Sequence, residues 1–354
     1  MKKVSIVGTV GLPACYGGFE SLVDNLTKEK SSTIDYSVYC SSKSYEVQYE
    51  KINDAKLIYI PLKANGVTSI FYDIYSLIHC LFKKPDVTLI LGVSGCIFLP
   101  IFRLFSNSKI VTNIDGLEWK RDKWGKYSKK FLKLSERLAI RYSDVIIADN
   151  KAIADYVAYE YSVDAKVIAY GGDHVLPKNK DVNVNIGNED DYYLALCRIE
   201  PENNVSLILD AFSKSSERIR FIGNWNNSQF GKNLKEQYSS YQNINIVDPI
   251  YDIDILYSYR SGCKGYIHGH SAGGTNPSLV EAMHIGKPIL AFDCSFNRYS
   301  TNNLANYFTD ADSLLYCLEN ISEAELKNNS EAMLYIANKQ YRWDVITKLY
   351  EDCY

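Results

Sequence analysis

The chain has 354 residues, of which 46% are hydrophobic and 23% charged, so it is neither a disordered nor a low-complexity sequence. Its length is too great for one compact core and suits two domains of ordinary size. The formal net charge of −3 argues against a general nucleic-acid binder.

The charge is unevenly distributed along the chain. Residues 120–141 contain nine Lys and Arg side chains against Asp122 and Glu136, which gives this segment a net charge of +7. The rest of the chain therefore carries −10. The small total conceals one strongly basic segment.

Nine scattered cysteines, with no CxxC pair, indicate reduced thiols in a cytoplasmic protein rather than a disulfide framework or a zinc site. The short segment before Gly8 does not fit a signal peptide. The apolar run 87–105 is interrupted by Ser94, Pro100 and Arg103. This pattern predicts a strand, a turn and a helix rather than a membrane span.

Short β-rich runs alternate with helical patterns through the first half of the chain. Continuous apolar strands separated by helices predict a parallel sheet covered on both faces. The predicted strands are 4–7, 36–40, 57–60, 87–91, 110–113, 145–148 and 166–169. The predicted helices are 18–30, 68–82, 127–142 and 151–161.

Residues 177–191 are polar and aperiodic, which is typical of a linker, and the alternation then resumes. The later predicted strands are 192–197, 219–222, 244–247, 265–267 and 288–292, and 330–354 has a helical pattern. The sequence thus predicts an α/β protein of two Rossmann-like domains facing across a ligand cleft. The predicted divisions are 1–178, 179–335 and a C-terminal helix, 336–354, returning toward the first domain.

A glycine-rich loop, residues 8–18, separates the first strand from the first helix. Glycines allow the backbone to approach a ligand closely, and a helix start favours an anion. The spacing fits neither GxGxxG nor GxxxxGK[ST], so a nicotinamide enzyme and a P-loop ATPase are both disfavoured. A purely structural turn is the alternative.

A second loop, residues 269–276, connects a strand to a helix that Asn276 would cap and Pro277 would begin. Free amides at this helix start could hold a diphosphate. Glu281, one turn into the helix, could accept two sugar hydroxyls, or could serve only as a favourable charge near the helix start.

Two nearby pairs have a possible metal-binding pattern. His268 and His270 would share one face of a strand, but the surrounding sequence supplies no further ligands, which favours His270 as a donor to a phosphate. Asp252 and Asp254 form a DxD pattern just before a helical run, where helix capping is the stronger interpretation.

Two further segments follow predicted strands, at the edge where parallel sheets bind ligands. Arg198 suits a phosphate, with a structural salt bridge as the alternative. Asp115, Glu118 and Trp119 could bind a sugar through hydrogen bonds and ring stacking, and either acid could be a general base. Capping of the next helix is the alternative for this segment.

Together these segments resemble a GT-B glycosyltransferase of the retaining group 4 family, and more narrowly its bacterial rhamnosyltransferase-like branch, whose N-terminal domain was formerly of unknown function. The resemblance covers nearly the whole chain. It is carried by GLPACYGGFE (11–20), DGLEWKR (115–121), CRIEPENN (197–204), GGD (171–173) and HGHSAGGTNPSLVEAM (268–283).

The resemblance assigns roles residue by residue. It implies that Glu281 contacts the nucleotide ribose and that Arg198 binds phosphate. The donor side would also include Gly17, Gly18, Gly273, Gly274, Thr275 and Asn276. The acceptor side would include Tyr16, Glu20 and Trp119, with Asp115, Glu118 and His270 as the catalytic candidates.

Two positions depart from the wider family. The first glutamate of its E-x7-E pair falls on Gly273, and its lysine after the arginine falls on Asn203. A 6-deoxy sugar such as rhamnose presents fewer hydroxyls, which could fit the first change. His270 and the helix start at Asn276 could replace the lost positive charge.

The resemblance implies metal-free transfer of a sugar, best L-rhamnose from dTDP-L-rhamnose, with retention, to a polyprenyl-diphosphate-linked saccharide in surface polysaccharide synthesis. No cofactor or metal is expected. A UDP-hexose or UDP-N-acetylhexosamine donor is the first alternative. A non-catalytic sugar-nucleotide-binding protein is the second.

The basic segment coincides with a predicted helix. Apolar side chains recur on it at spacings of 3, 4, 3 and 4, which predicts a stripe packed on the domain. These side chains are Trp124, Tyr127, Phe131, Leu134 and Leu138. Its lysines would be simply solvated or would face anionic lipid at the inner face of the cell membrane. The lysines in question are Lys126, Lys129, Lys130 and Lys133.

Overall fold

The structure is a computed structural model that describes residues 1–15, 17–120, 125–177 and 191–354. The chain forms two compact units. Unit 1 consists of Met1–Ala169 together with Trp343–Tyr354, and unit 2 of Tyr170–Arg342.

Unit 1 is built on an eight-stranded sheet. Its strands are β1 Lys2–Val7, β2 Ile34–Ser41, β3 Lys51–Ile52, β4 Ala55–Ile60, β5 Val87–Leu91, β6 Lys109–Asn113, β7 Val145–Ala148 and β8 Lys166–Val167. The order is β3-β4-β2-β1-β5-β6-β7-β8, parallel except for β3 on β4. Every residue of β5 is buried, as expected of a strand covered on both faces.

The described residues of unit 1 form six α-helices. They are α1 Gly18–Lys28, α2 Thr68–Lys83, α3 Leu99–Phe105, α4 Lys126–Tyr142, α5 Lys151–Tyr161 and, from the end of the chain, α13 Trp343–Glu351. The connections through α2, α3, α4 and α5 all run in one direction along the sheet, and the connection through α1 runs in the other. Because parallel crossovers are right-handed, α2 to α5 cover one face of the sheet and α1 covers the opposite face.

Unit 2 has a six-stranded, fully parallel sheet. Its strands are β9 Tyr193–Leu196, β10 Ile219–Ile222, β11 Ile244–Val247, β12 Gly265–His268, β13 Ile289–Phe292 and β14 Asn306–Phe308. The order is β11-β10-β9-β12-β13-β14. The core between this sheet and its helices contains Phe212, Phe221 and Trp225, all fully buried.

The helices of unit 2 begin and end at identifiable signals. They are α6 Val205–Lys214, α7 Gln229–Tyr238, α8 Ile253–Gly262, α9 Pro277–Ile285, α10 Ser295–Ser300, α11 Ala311–Asn320 and α12 Glu323–Gln340. Asn276 caps α9, as predicted, and Gly286 ends the helix with a φ of 71°. Asp252 caps α8 by accepting from the amides of Asp254 and Ile255, which supports capping as the role of that aspartate.

The unit boundaries differ from the predicted divisions at 178/179 and 335/336. Residues 170–177 lie in unit 2 because the Gly172 amide donates to the Tyr341 carbonyl and its backbone packs against Val280. The predicted single C-terminal helix is two helices, broken at 341–342, and only the second belongs to unit 1. The predicted linker lies almost entirely outside the described residues.

The apolar stripe predicted on α4 is wrong for two side chains, because Tyr127 is 89% exposed and Leu134 is 48% exposed. The buried face of α4 instead holds Leu132, Ser135, Glu136, Ala139 and Ile140. The polar members are satisfied: Ser135 donates to the Val93 carbonyl, and Glu136 accepts several hydrogen bonds. Trp124, the remaining predicted member at the start of the stripe, lies outside the described residues.

Within the described ranges, no helix is both long and apolar enough to cross a membrane. The apolar run 87–105 forms β5, a short 3-10 turn and α3, as predicted. All nine cysteines are free thiols: five are buried, three are partly buried and Cys15 is exposed.

Candidate active site

The loops that follow β9 and β12 lie side by side in unit 2. The chain leaves β9 in one direction, toward β10 and β11, whereas β12 lies on its other side. This reversal is the position at which open α/β sheets bind ligands, beyond the carboxyl ends of the strands. Arg198 follows β9, and residues 269–276 follow β12, so the structure brings these two predicted segments together.

Backbone and side-chain hydrogen bonds join the two loops. The Ser271 amide donates to the Glu202 carbonyl at 3.0 Å, and Asn204 Nδ2 donates to the Gly269 carbonyl at 2.8 Å. A Cβ at Gly269 would lie 2.2 Å from the Asn203 carbonyl oxygen. The loops therefore form one rigid surface.

Asn203 and Gly273, the two departures from the wider family, both face His270. Asn203 is buried; its Nδ2 donates to the Arg198 carbonyl at 2.7 Å, and its Oδ1 lies 2.6 Å from His270 Nδ1. This arrangement makes His270 Nδ1 the protonated nitrogen. A Cβ at Gly273, where φ is +119°, would lie 3.0 Å from His270 Nε2. Asn203 therefore holds the His270 ring, and Gly273 leaves room beside it.

Arg198 has a weak intramolecular partner. Its Nη1 lies 3.6 Å from Glu200 Oε1, and both side chains are more than a third exposed. Exposed ion pairs of this kind contribute about 0–1 kcal/mol. The guanidinium can therefore exchange this contact for a charge-assisted bond to a phosphate at small cost.

Glu281 lies one turn into α9 and is held by Arg260 and His174. One carboxylate oxygen contacts Arg260 Nη2, and the other lies 3.4 Å from His174 Nε2. Burial raises the pKa of Glu281, but Arg260 and His174 outweigh it and hold the pKa below its ordinary value. Glu281 is thus a fixed anion at neutral pH, suited to accept hydroxyl hydrogen bonds.

The start of α9 shows how the remaining donor-side residues are positioned. Asn276 Oδ1 accepts from both the amide and the hydroxyl of Ser278. Gly274 and Thr275 are buried immediately before the cap. These contacts therefore hold the backbone of the loop in one conformation where it enters α9.

Arg260 and His174 were missed by the sequence reasoning. Arg260 is on α8, 21 residues before its partner, and His174 comes just after the unit boundary. Only the adjacent GGD motif at 171–173 marked the second position. No local spacing links these residues to Glu281, because the pairing is created by tertiary packing.

In unit 1, the glycine-rich loop is held by Glu20. Its Oε1 accepts from the Val10 amide at 2.8 Å and from Thr9 Oγ1 at 3.1 Å, and the side chain is buried. A Cβ at Gly17, where φ is +140°, would lie 2.0 Å from Glu20 Oε2. Gly17 caps α1, which begins at Gly18. The structure thus gives Glu20 the role of ordering the loop; Tyr16 lies outside the described residues.

The loop after β6 begins with a strained residue. Asp115 has a φ of 60°, and its amide donates to Asn113 Oδ1 at 2.9 Å. Asn113 Nδ2 in turn donates to the Tyr350 hydroxyl at 2.7 Å. Left-handed backbone at a non-glycine residue is uncommon, and aspartate tolerates it better than most residues. Both Asp115 and Glu118 are half-buried at this edge of the sheet.

Trp119 belongs to a cluster centred on Glu136 of α4. Its Nε1 donates to Glu136 Oε2 at 3.0 Å, and the hydroxyls of Tyr156 and Tyr161 donate to Oε1 at 2.7 and 2.6 Å. Lys133 Nζ lies over the Trp119 ring, 4.6 Å from its centroid. The indole is therefore fixed by internal contacts rather than freely presented to a sugar.

Lys133 differs from the other three predicted lipid-facing lysines. It pairs with Glu136 and Glu160 and contacts the Tyr156 hydroxyl. Burial lowers its pKa, but the bonds to Tyr161 and Glu160 and the charge of Glu136 outweigh it and raise the pKa. Lys126 and Lys130 are exposed and Lys129 is half-buried, and all four lysines line a cavity of about 560 Å³ beside Trp119.

The described residues contain no group of three or more His, Cys, Asp or Glu side chains that could hold a metal ion. His268 is buried, and burial lowers its pKa well below the ordinary value, with His270 contributing in the same direction. It is therefore a neutral histidine in the core.

Two family models match the chain, each over just under half of its length. Residues 1–173 match the model described as Domain of unknown function (DUF1972), and residues 178–338 match the model described as Glycosyl transferases group 1. None of the curated proteins searched matches the sequence.

Solved structures with the same architecture cover almost the whole chain. Sucrose-phosphate synthase from Thermosynechococcus elongatus has a TM-score of 0.82 at 12% identity, over 99% of both chains. HepE from Anabaena, in complex with UDP, has 0.72 at 14%, over 99% of both. Starch Synthase IV from Arabidopsis thaliana, bound to ADP and acarbose, has 0.75 at 12%, over 99% of this chain and 98% of that one.

The fold is therefore the GT-B fold, with two Rossmann-like domains, as the sequence predicted. The match of residues 178–338 to the group 1 glycosyl transferases supports a glycosyltransferase.

Proposed function

We propose that the protein is a retaining glycosyltransferase that moves a sugar from a nucleoside-diphosphate sugar to a lipid-linked saccharide in bacterial surface polysaccharide synthesis. The observation that carries this proposal is the joined pair of loops after β9 and β12, where Arg198, His270 and the start of α9 meet. Such a surface combines the Arg198 cation, the His270 ring and the positive end of the α9 helix dipole, which suits a diphosphate leaving group.

The nucleotide class is supported by the structural neighbours, since HepE binds UDP and Starch Synthase IV binds ADP. Our preferred donor is dTDP-L-rhamnose. Gly273 stands where the resemblance places a glutamate, so the sugar side has one carboxylate fewer. A 6-deoxy sugar correspondingly has one hydroxyl fewer to bind. A UDP-hexose or UDP-N-acetylhexosamine remains the alternative donor, and a non-catalytic nucleotide-sugar-binding protein the alternative class.

In the proposed reaction, the bond between the anomeric carbon and the leaving phosphate oxygen breaks. The acceptor hydroxyl forms its new bond on the same face of the sugar and gives its proton to the leaving phosphate. Arg198, His270 and the α9 start would stabilise the diphosphate charge. Glu281 would hold the nucleotide ribose, and Asp115 would orient the acceptor hydroxyl, with Glu118 beside it.

We also propose that transfer needs no metal ion and occurs at the inner face of the cell membrane, where a polyprenyl-diphosphate-linked acceptor resides. Exposed Lys126 and Lys130, with Lys129, form a basic surface on α4. Each Lys or Arg near an anionic leaflet contributes about 1 kcal/mol of attraction. Unchanged turnover in EDTA would support the metal-free reaction.

The decisive test is turnover of a panel of nucleotide sugars with a lipid-linked acceptor, followed by determination of the product's anomeric configuration. Arg198→Ala should raise the KM for the donor about 10- to 100-fold, the value of a charged hydrogen bond. The matched control is Arg218→Ala, an exposed arginine just before the amino end of β10. Tight nucleotide binding without turnover of any donor would favour the non-catalytic alternative, and an inverted product would require Asp115 or Glu118 as a base.

A further inference from the structure

The outer face of α2 is apolar although it is exposed to solvent. Between residues 71 and 82, every exposed position carries a large apolar or aromatic side chain. These are Phe71, Tyr75, Ile78 and Phe82, which are between 38% and 78% exposed. Their spacing of 4, 3 and 4 places them in one row. The outer face of a surface helix is normally polar, so this row indicates a contact surface.

The neighbouring helix α3 has the same property. Its exposed positions are Ile101, Leu104 and Phe105, and the last two are 77% and 72% exposed. Helix α3 packs against both α2 and α4, in the layer that covers one face of the unit 1 sheet. The outer faces of α2 and α3 therefore form one continuous apolar surface, with the basic helix α4 beside it.

The charges on these three helices are mostly positive. The only carboxylates on α2, α3 and α4 are Asp73 and Glu136, and both are buried. The three helices carry eight basic residues: Lys83, Arg103, Lys126, Lys129, Lys130, Lys133, Arg137 and Arg141. Arg103 pairs with Asp144 and Lys133 with Glu160, but the three helices keep an excess of cations beside their exposed apolar groups. This combination matches a lipid surface, which has anionic headgroups over an apolar interior.

We propose that the outer face of α2 and α3 inserts into the acyl–headgroup boundary of an anionic lipid bilayer, while the basic face of α4 contacts the headgroups. This proposal rests on the membrane contact proposed above and extends it, since the lysines alone would give only an electrostatic, salt-sensitive attraction. Insertion of the apolar row gives a second contribution that salt does not screen. The occupant is a bilayer rather than a protein because α2, α3 and α4 carry eight basic residues against two buried carboxylates, an excess of positive charge that complements an anionic leaflet.

The test is co-sedimentation of the full-length protein with phosphatidylglycerol–phosphatidylcholine vesicles. The variant Phe82→Ser, Leu104→Ser, Phe105→Ser removes three exposed side chains from the surface. The matched control is Tyr251→Ser, Tyr316→Ser, Tyr335→Ser, three comparably exposed residues of unit 2. Thermal unfolding of all proteins checks that the fold is retained.

We expect the wild type and the control to remain partly vesicle-bound at 1 M NaCl, where the Debye length is about 3 Å. The surface variant should lose at least tenfold in vesicle affinity at physiological salt and detach completely at 1 M. Equal sedimentation of the surface variant and the wild type at 1 M would overturn the proposal. So would a wild-type dimer that fails to bind vesicles and becomes a monomer in the variant, because the surface would then be a protein interface.

Donor hydrolysis without vesicles separates this proposal from the proposed function. A surface variant that hydrolyses the donor as fast as the wild type, yet does not sediment, supports insertion with the chemistry intact. Vesicle insertion by a wild type that turns over no nucleotide sugar would support the surface and contradict the glycosyltransferase.

Discussion

At the scale of single residues, the donor-side surface depends on how His270 is held. Asn203 fixes one ring nitrogen at 2.6 Å, and the absence of a side chain at Gly273 leaves room beside the other. A glutamate at this position would crowd the imidazole, since even its Cβ would lie 3.0 Å from His270 Nε2. Asn203 and Gly273 are therefore linked through one side chain.

Gly273→Ala tests this link. The added Cβ would lie 3.0 Å from His270 Nε2 and would also force an unfavourable φ of +119°. We expect the KM for the donor to rise about tenfold and stability to fall by about 1–2 kcal/mol, as for other strained backbone positions. The measurements are donor kinetics and urea unfolding.

The control is Gly66→Ala, which has a positive φ of +67° but nothing within 4 Å of the added Cβ. It should lose stability without any change in KM. An unchanged KM in Gly273→Ala would show that His270 does not need this space.

From the contacts of Glu281 we predict how the stability of the protein depends on pH. Its folded pKa is lowered, since Arg260 and His174 outweigh burial, so its contribution to stability is present above the unfolded pKa of about 4.3. That contribution is lost as the pH falls through the folded value. Glu281→Gln should therefore be less stable than the wild type by about 3 kcal/mol at pH 7, because Arg260 stays buried without its counter-ion.

The stability difference between Glu281→Gln and the wild type should shrink steadily below about pH 4, as measured by urea unfolding across a pH series. The exposed Glu319→Gln is the control and should show little difference at any pH. A difference for Glu281→Gln that is independent of pH would contradict the ion-pair origin.

The sequence predicts single residues well where their role is local. Asn276 and Asp252 cap helices in the manner that their positions before apolar runs indicate. Arg260 could not be predicted, because its partner is on another helix and only packing joins them. Helix caps can be predicted from the sequence because they are local, whereas an ion pair between distant residues cannot.

At the scale of elements, the ends of the helices were easier to predict than their buried faces. The bounds of α5 agree with the prediction to the residue, and those of α2 and α4 within one, yet the face of α4 was wrong. Its buried side includes Ser135 and Glu136, whose polar groups are satisfied by hydrogen bonds from other elements. Periodicity counts apolar side chains and so overlooks a buried carboxylate. The short edge strands β3 and β14 were missed because two or three residues form no pattern.

The hydrogen bonds to Glu136 on α4 predict that its replacement destabilises unit 1. Glu136→Leu would leave Trp119 Nε1 and the hydroxyls of Tyr156 and Tyr161 without their acceptor. An unpartnered buried donor costs about 1–3 kcal/mol, and because these three donors are only half-buried we expect unit 1 to be destabilised by about 1–3 kcal/mol in total.

Tryptophan fluorescence during urea unfolding measures the loss caused by Glu136→Leu. Arg137→Gln, on the exposed side of the same turn, should stay within about 0.5 kcal/mol of the wild type. A neutral Glu136→Leu would mean that the aromatic cluster is held by packing alone.

At the scale of the whole molecule, the chain crosses between the two units twice, once after residue 169 and again after residue 342. The second crossing returns α13 to unit 1, where it packs against α1. The sequence predicted a returning C-terminal segment but placed its start at residue 336, inside α12. The break at 341–342 depends on contacts of Tyr341 with Ser300, His284 and Gly172, which no local signal reveals.

This return couples the end of the chain to the stability of unit 1 alone. Tyr350 is fully buried and accepts from Asn113 Nδ2, directly before the loop of Asp115, while the Tyr354 hydroxyl is hydrogen-bonded to Tyr36 on β2.

Tyr350→Ala would create a cavity and release Asn113, with a cost of about 3–5 kcal/mol by analogy with other buried aromatic truncations. Because unit 2 has its own core, we expect faster amide hydrogen exchange in β1, β2, β5 and β6 and unchanged exchange in β9, β10 and β12. Leu349→Ala, at the neighbouring half-exposed position, should leave exchange in both sheets close to that of the wild type. Equal acceleration in both sheets by Tyr350→Ala would mean that the two units unfold as one cooperative body rather than separately.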